Sequence, residues 1–406
     1  MTFTTIRGAT QVDFIGSDEL DVLAAVDETL PIYAGGQKNN DFITLIRIGN
    51  GLISPSTVQG GEGADTINTL GEVQSSLFSG NKGNDFININ SIISFSTLSG
   101  GDGDDFFTSP TSLLSSTLNG NQGSDTILFS GSADNAAVLG GQDNDSLTIS
   151  GSKAFSNSRF NGNAGNDLLS LSGYGSSDAA TLLTAVTFYG GQGNDFITAS
   201  GGVNGIGTTG FVLSGDNDND QITGSAQADT LLGGSGLDTI IGSGGADRTI
   251  GGSGADTYSG SVTDTRYQIT AITDSAATTT GTVAGFDRFA DAGAFVKTKS
   301  KLDISAVATT LAGGSLASGV ITTKTSLTVA SANDFTTLKA ALDPLGGAST
   351  TAFIATFEVT VTAGSLTGTY LWINNTTAAY DSGDLFFQTV AAGQIDPSTD
   401  LILLNS

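Results

Sequence analysis

Between residues 35 and 260 the apolar positions keep fixed distances from a recurring Asp. That Asp stands at 41, 65, 85, 105, 125, 145, 167, 195, 220, 229, 238, 247 and 256, so the gaps run 24, four of 20, then 22, 28 and 25, and finally four of 9. Two residues after the Asp comes an apolar side chain, as in Ile43, Ile67, Ile87, Phe107, Ile127, Leu147, Leu169, Ile197 and Ile222. Seven residues before it stands a second column: Val58, Phe78, Leu98, Leu118, Val138, Phe160, Phe188 and Leu213. Ile87-Asn88-Ile89-Asn90 and Ile93-Ser94-Phe95-Ser96 alternate with period 2, which predicts half-buried strands. Glycine every few residues costs about 1 kcal/mol each against Ala in a helix, so helix is excluded here. Self-similarity at fixed period indicates a solenoid, in which stacked coils bury both columns and advance about 4.8 Å per rung. The predicted fold is dominated by β-structure: a parallel β-helix or β-roll of ~20-residue coils ending in 9-residue repeats, then a C-terminal α+β or mostly β domain.

The most regular glycine lies five residues before the Asp, at 36, 60, 80, 100, 120, 140, 162, 190 and 215. A turn that requires positive φ would explain it. The residue after that glycine, where not Gly itself, becomes Asn81, Asn121, Asn163 or Asp216, the types that best tolerate left-handed backbone. The half of each long coil opposite the turn is uncharged, as in Ser91-Ile92-Ile93-Ser94 and Ser112-Leu113-Leu114-Ser115, and reads as a plain corner.

Composition removes most chemistry. The 406 residues contain no Cys and no His, which excludes disulfides, Cys/His zinc sites and His-dependent nucleophilic triads. Of 40 acidic residues five are Glu and the rest Asp, and the net charge is −26 against only 14 Lys and Arg. Such a field repels nucleic acid and anionic membranes, and no apolar run is long enough to span a bilayer. Gly-Lys-Ser/Thr follows none of the glycine turns, so they are not phosphate loops. Residues 1–261 hold 28 acidic and 7 basic side chains, so the chain's own cations cannot neutralise a stacked Asp column. Carboxylates about 5 Å apart repel by ~3 kcal/mol per pair at an effective dielectric of 20. A hard cation with oxygen ligands removes that repulsion, and Ca²⁺ accepts the 6–8 carbonyl and carboxylate oxygens that such turns offer. The same Asn/Asp–Gly runs are also good turn formers in a metal-free β-helix.

Gly233-Gly234-Ser235-Gly236-Leu237-Asp238-Thr239-Ile240 and Gly251-Gly252-Ser253-Gly254-Ala255-Asp256-Thr257-Tyr258 resemble the nine-residue repeat of the RTX family of secreted calcium-binding proteins. The resemblance implies Ca²⁺ shared between turn carbonyls and Asp carboxylates of neighbouring coils. Asp220, Asp238 and Asp256 would then line one edge of the roll, and Asp229 and Asp247 the other. In the long coils one turn per rung implies a ladder along a single edge, formed by Asp65, Asp85, Asp105, Asp125, Asp145, Asp167 and Asp195. Asp41 lacks the inner glycine and is not counted with them; Asp229, in Gly-Ser-Ala-Gln-Ala-Asp, lacks the inner glycines too.

Three regions are expected: a cap or first coil at 1–34, the calcium-binding β-helix at 35–261, and a secretion or assembly domain at 262–406. In the last, Phe357–Thr362 and Thr369–Ile373 read as strands and Ala332–Leu342 as a helix. Gly285-Phe286-Asp287 and Lys301–Ser305 are similar to the phrases that follow RTX repeats in type I exported proteins. Gly368–Asn375 with Asp384–Phe387 is like a terminal module of cyanobacterial surface proteins. Asp400 before an apolar run resembles an uncleaved C-terminal export signal, and also reads as a last β-strand. The start has no basic-then-apolar leader, and the repeat begins so early that no enzymatic or pore-forming cargo is expected.

The implied function is a secreted, calcium-folded structural protein, a subunit of an S-layer or of an extracellular matrix or filament, that self-associates into a lattice or filament. The absence of Cys and His, the low pI of about 4.1 and the many hydroxyl residues resemble S-layer proteins. The alternatives are a calcium-dependent adhesin that binds cell-surface polysaccharide, with Trp372, Tyr370 and Tyr380 as its platform, and a β-helical lyase or epimerase. No catalytic residue is assigned, Asp381 and Asp384 included, and the protein is not expected to be an enzyme.

Overall fold

A computed structural model describes residues 4–7, 12–16, 22–24, 32–46, 53, 55–109, 112–150, 155–172, 183–184, 186–201 and 210–259, and eight further strands between 266 and 402. Among these residues there is no helix. The predicted helix at 332–342, most of the expected cap at 1–34, Tyr380, Asp381 and Asp384 lie outside the described residues. The chain divides into two compact units, Met1–Thr209 and Gly210–Ser406.

The first unit is a three-sided parallel solenoid. Its sheet A stacks Val12–Ile15, Ile32–Gly35, Thr57–Glu62, Leu77–Lys82, Thr97–Asp102, Thr117–Gln122, Ala137–Gln142, Arg159–Ala164 and Thr187–Gln192, with Thr4–Arg7 antiparallel at the outer edge. Sheet B begins at Val22–Ala24 and Phe42–Ile46 and repeats through Thr66–Leu70, Phe86–Ile89, Phe106–Ser109, Thr126–Phe129, Ser146–Ser150, Leu168–Ser172 and Phe196–Gly201. Register follows the sequence columns, so that Ile87 lies between Ile67 and Phe107.

The stretch opposite the turn, where alternation predicts a strand at Ile93–Ser96 and the other coils read as a plain corner, is a third sheet. Val73–Gln74, Ile92–Ser94, Ser112–Leu114, Ser132–Asp134, Phe155–Ser156 and Leu183–Thr184 pair in parallel as sheet C. It adds a third inward column, Val73, Ile93, Leu113, Ala133 and Phe155, which with the two predicted columns fills the core. Every member from Val58 to Ile197 in these columns is at most 1 % exposed. Each such side chain contributes roughly 1.5–3 kcal/mol of burial. Where the third column narrows to Ala133, aromatic rings take up the volume nearby: Phe155 packs on Phe129 and Phe160, and Phe160 stacks on Phe188 at 4.8 Å.

The second unit opens as a two-sided roll with an 18-residue rung. Val212–Asn217, Thr230–Ser235 and Arg248–Ser253 form one side; Gln221–Thr223, Thr239–Ile241 and Thr257–Ser259 form the other. Strand stacking does not stop at the expected 261/262 boundary. Arg266–Gln268, Lys301–Asp303 and Leu401–Ile402 extend the first side in parallel, and Arg288–Phe289 extends the second. The two strands foreseen in this region appear as Ile354–Val361 and Gly368–Asn374, an antiparallel pair in which Trp372 lies opposite Phe357.

Candidate metal centre

Each glycine turn carries the chain from one side of the coil to the next and ends on the Asp. Every predicted ligand Asp, and Asp41 with them, is at most 3 % exposed. One carboxylate oxygen has a structural task. Oδ1 of Asp65 accepts the backbone N–H of Asp41 at 2.6 Å, Asp85 that of Asp65 at 2.7 Å, and Asp105 that of Asp85 at 2.8 Å. The chain of acceptors runs on through Asp125, Asp145, Asp167 and Asp195. In the second unit Asp238 serves Asp220 and Asp256 serves Asp238, while Asp229 serves Phe211 and Asp247 serves Asp229 on the other edge. The Asp side chains thus follow a single edge in the long coils, which have one turn per rung, and two edges in the short ones, the arrangement that the resemblance of the nine-residue repeats implies.

The second oxygen is surplus. Oδ2 of Asp65, Asp85, Asp105, Asp125, Asp145, Asp167 and Asp238 is buried and has no hydrogen-bond partner. It points at the glycine five residues earlier. A Cβ built at Gly60, Gly80, Gly100 or Gly120 would collide with the Oδ2 of its own turn, and would crowd the carbonyl of the equivalent glycine in the next coil. Space, not φ, fixes this glycine: the positive φ expected there belongs to the following residue, Gly61 (124°), Asn81 (80°), Gly101 (127°) or Asn121 (83°), and to Gly63, Gly83 and Gly103 two residues further on. Gly36 faces Asp41 and the Gly60 carbonyl in the same way, so Asp41 has the geometry of the others despite its altered turn.

A serine ladder at another corner of the first unit shows what the backbone alone requires. Ser76 Oγ accepts the N–H of Ser56, Ser96 that of Ser76, and Ser116 that of Ser96, each at 3.0 Å. Each hydroxyl also donates to a carbonyl two residues back, as Ser96 does to Ser94 at 2.7 Å. One oxygen per rung is enough to hold that corner. The Asp corner carries two, and from Asp65 to Asp167 the second has no hydrogen-bond partner.

Burial without a counter-ion makes these carboxylates weak bases no longer. It pushes Asp85, Asp125 and Asp145 up to about 8 and Asp105 to about 7, against 3.8 for an ordinary Asp. Asp65, Asp167 and Asp238 rise to about 6. The N–H donated by the preceding coil acts in the opposite direction, and neighbouring carboxylates add to the rise at Asp85 and Asp125. An unpartnered buried charge has two remedies, a proton or a cation. Among the described residues no three acidic side chains converge. A cation here is therefore held by Asp Oδ2 and backbone carbonyls, an oxygen-only set that suits Ca²⁺ and offers nothing to metals that need nitrogen or sulfur. The donor set fits.

Asp229 departs from this pattern. Ser225 donates its backbone N–H to Oδ2 at 2.6 Å and its hydroxyl to the same oxygen at 2.9 Å, and Gln227 N–H closes onto Ser225 Oγ at 3.1 Å. Neither Ser225 nor Gln227 adopts the positive φ found at the matching glycines. Both oxygens of Asp229 are satisfied by the protein, and the absence of inner glycines in the sequence was the signal. Missed in the sequence were Ser56, Ser76, Ser96, Ser116 and Ser158, each nine residues before an Asp. Also missed was an outer amide ladder one residue before it, where Asn40, Asn84 and Asn166 accept N–H groups from the next coil.

With this geometry in place, comparison with known families gives one match. A model of the RTX calcium-binding nonapeptide repeat, in four copies, matches residues 55–71, 95–109, 185–206, 207–240 and 223–258. The first three matches include turns of the long coils, at 60–65, 100–105 and 190–195; the last two cover the 9-residue run. No curated protein matches the chain.

Proposed function

We propose that this protein is a secreted structural subunit, of a surface layer or of an extracellular matrix or filament, whose solenoid is folded and assembled by Ca²⁺. The calcium-binding repeats are of RTX type, and such repeats are typical of secreted proteins. The observation that carries the reading is the surplus buried Asp oxygen, repeated rung after rung opposite a glycine carbonyl. Bound there, Ca²⁺ supplies positive charge and further coordination to those oxygens. The protein's part is to hold each carboxylate by its Oδ1, to keep a Cβ out of the cradle, and to bring the next coil's carbonyl alongside. At the low calcium of a cytosol the ionised ladder opposes folding, which favours an export-competent chain; at the 10⁻⁴–10⁻³ M affinities of extracellular modules it folds outside. We take the export route to be a type I system reading an uncleaved C-terminal signal, and the role to be that of a scaffold and not of an enzyme.

The experiment is circular dichroism with light scattering, in chelator and in millimolar calcium. A gain of β-structure and of particle mass on adding calcium supports the reading. Unchanged β-content overturns the calcium step, and a folded but monomeric protein at all concentrations overturns the assembly step.

A further inference from the structure

Side chains alternate along each strand of sheet B in the first unit, so the residues one and three after each Asp face outward. On this face lie Phe42, Phe86, Phe106, Leu128, Leu168 and Phe196. Four of them are about two-fifths exposed, and Phe86 stacks on Phe106 with ring centres 5.5 Å apart. At one and three residues after the Asp, the other outward positions are Thr, Asn and Ser, and Leu70 adds a further exposed apolar side chain at the far edge. From Phe42–Ile46 through Phe196–Gly201 no outward position is charged, in a chain of net charge −26. Among the described residues the charges bordering the face stand mostly in the turn before it, at Lys38, Glu62, Lys82, Asp102, Asp104 and Asp143, with Glu72 past its other edge. The rungs are in register without a bulge from Phe42 to Leu168.

We infer that this face of sheet B is the surface on which a second copy of the chain docks, sheet against sheet, about a two-fold axis. The inference rests on the assembly reading above and names its interface. Three observations select a copy of the chain as the occupant. First, an acidic molecule meets its own kind most easily over a patch without charge, and this face is such a patch with a charged rim, the anatomy of a protein interface. Second, the period matches: a rigid array with one apolar row every ~4.8 Å stays in step along its length only with a partner of the same spacing, which the same face of another copy has. Third, the area suffices. Eight strands spaced ~4.8 Å and five residues wide give an outline of roughly 34 by 16 Å, so two copies cover about 1,100 Å², near the lower bound for a specific interface before side-chain relief is counted. The stacked Phe86 and Phe106 lie toward the middle of the array, where anchors matter most.

The test is sedimentation of the full chain in excess calcium over a range of concentrations. The double variant Phe86→Thr/Phe106→Thr places at both positions the residue that the same column already uses at Thr66 and Thr126, and Thr148→Lys puts a charge into the face. Tyr189→Ser, on the outer side of sheet A, is the control. The expected result is a dissociation constant raised at least ~100-fold by both face variants and not by the control, with the calcium-induced circular dichroism signal intact in all three. Assembly of both face variants at the wild-type concentration overturns this interface while leaving the assembly reading standing. A wild type that stays monomeric overturns both. A monomer retained on a neutral polysaccharide gel, and released by the Phe86→Thr/Phe106→Thr change, overturns the second copy in favour of a carbohydrate occupant.

Discussion

Replacing Asp105 by Asn should raise stability without calcium and remove part of the stability that calcium adds. Asn keeps the Oδ1 that accepts the Asp85 N–H and sets an uncharged N–H₂ group where Oδ2 lies, near the Gly120 carbonyl. Without metal, at pH 8, Asp105 is ionised although burial has raised its pKa from 3.8 to about 7. Three pH units at about 1.4 kcal/mol each set a ceiling of ~4 kcal/mol on that penalty. Water penetration and relaxation bring the expected relief to about 2–4 kcal/mol. In 10 mM calcium, taking a dissociation constant of ~10⁻⁴ M, one ion stabilises by about 2.7 kcal/mol, and the variant forfeits this at its own rung. Circular dichroism of the full chain reads both limbs: more β-content than wild type in chelator, and a rise of the thermal midpoint on adding calcium that is smaller than the wild type's by ~5–10 °C. A variant weaker than wild type in chelator would show that the buried charge carries no penalty at this rung; one that gains as much stability from calcium as the wild type would show that this rung binds none.

Acid should substitute for calcium. Because the folded pKa values of Asp85, Asp125 and Asp145 are raised to about 8, the folded state binds more protons than the unfolded chain between pH 4 and 8, so metal-free stability rises as pH falls through that window. Thermal melts in chelator are expected to shift upward from pH 8 to pH 5, and the calcium midpoint at pH 6 to lie above that at pH 8; a chelated protein that melts lower at pH 5 contradicts the ladder's electrostatics. Ser225→Ala should cost about 1 kcal/mol by taking the hydroxyl from Asp229, which keeps the Ser225 backbone N–H, whereas Asp229→Asn should leave the number of bound ions in native mass spectrometry unchanged and Asp238→Asn should lower it. Phe95 sits at φ 50° where its counterparts are Ser75, Ser115, Asn135 and Asn157, and is 64 % exposed. Phe95→Asn should therefore raise the unfolding free energy by ~1 kcal/mol in urea titration, and a loss of stability would mean that the ring has a packing role.

The sequence made the solenoid legible wherever a residue type was forced at a fixed offset. Ile67, Ile87 and Phe107 have no alternative inside a stacked core, and the Asp column marks each rung because its carboxylate bonds to the coil before it. The third sheet showed in the sequence only at Ile93-Ser94-Phe95-Ser96, where alternation is visible; its other strands are two or three residues long, and Ala133 interrupts their column. Gly60 and its equivalents were visible but misattributed: a missing Cβ looks the same in a sequence whether φ or a neighbouring atom demands it. Past residue 261 the columns vanish while backbone pairing continues at Arg266–Gln268 and Lys301–Asp303, and pairing between main chains leaves no mark on composition. Asp229 was legible in part, since the missing glycines were seen and the compensating Ser225 was not.

The Asp-to-backbone bonds all point the same way along the chain: the later rung lends the oxygen and the earlier rung lends the hydrogen. Dependence between coils is therefore one-directional. A ladder shortened from its C-terminal side loses acceptors, and the last remaining Asp is left with a buried N–H that nothing answers, a defect of about 1–3 kcal/mol. Shortened from its N-terminal side, it leaves only an idle oxygen, which water or an ion satisfies. Two nested sets of truncations with the same number of coils should then differ in stability, the set that keeps its C-terminal rungs being the sturdier. In a stack of near-identical coils, that bond direction gives the array a foot and a head.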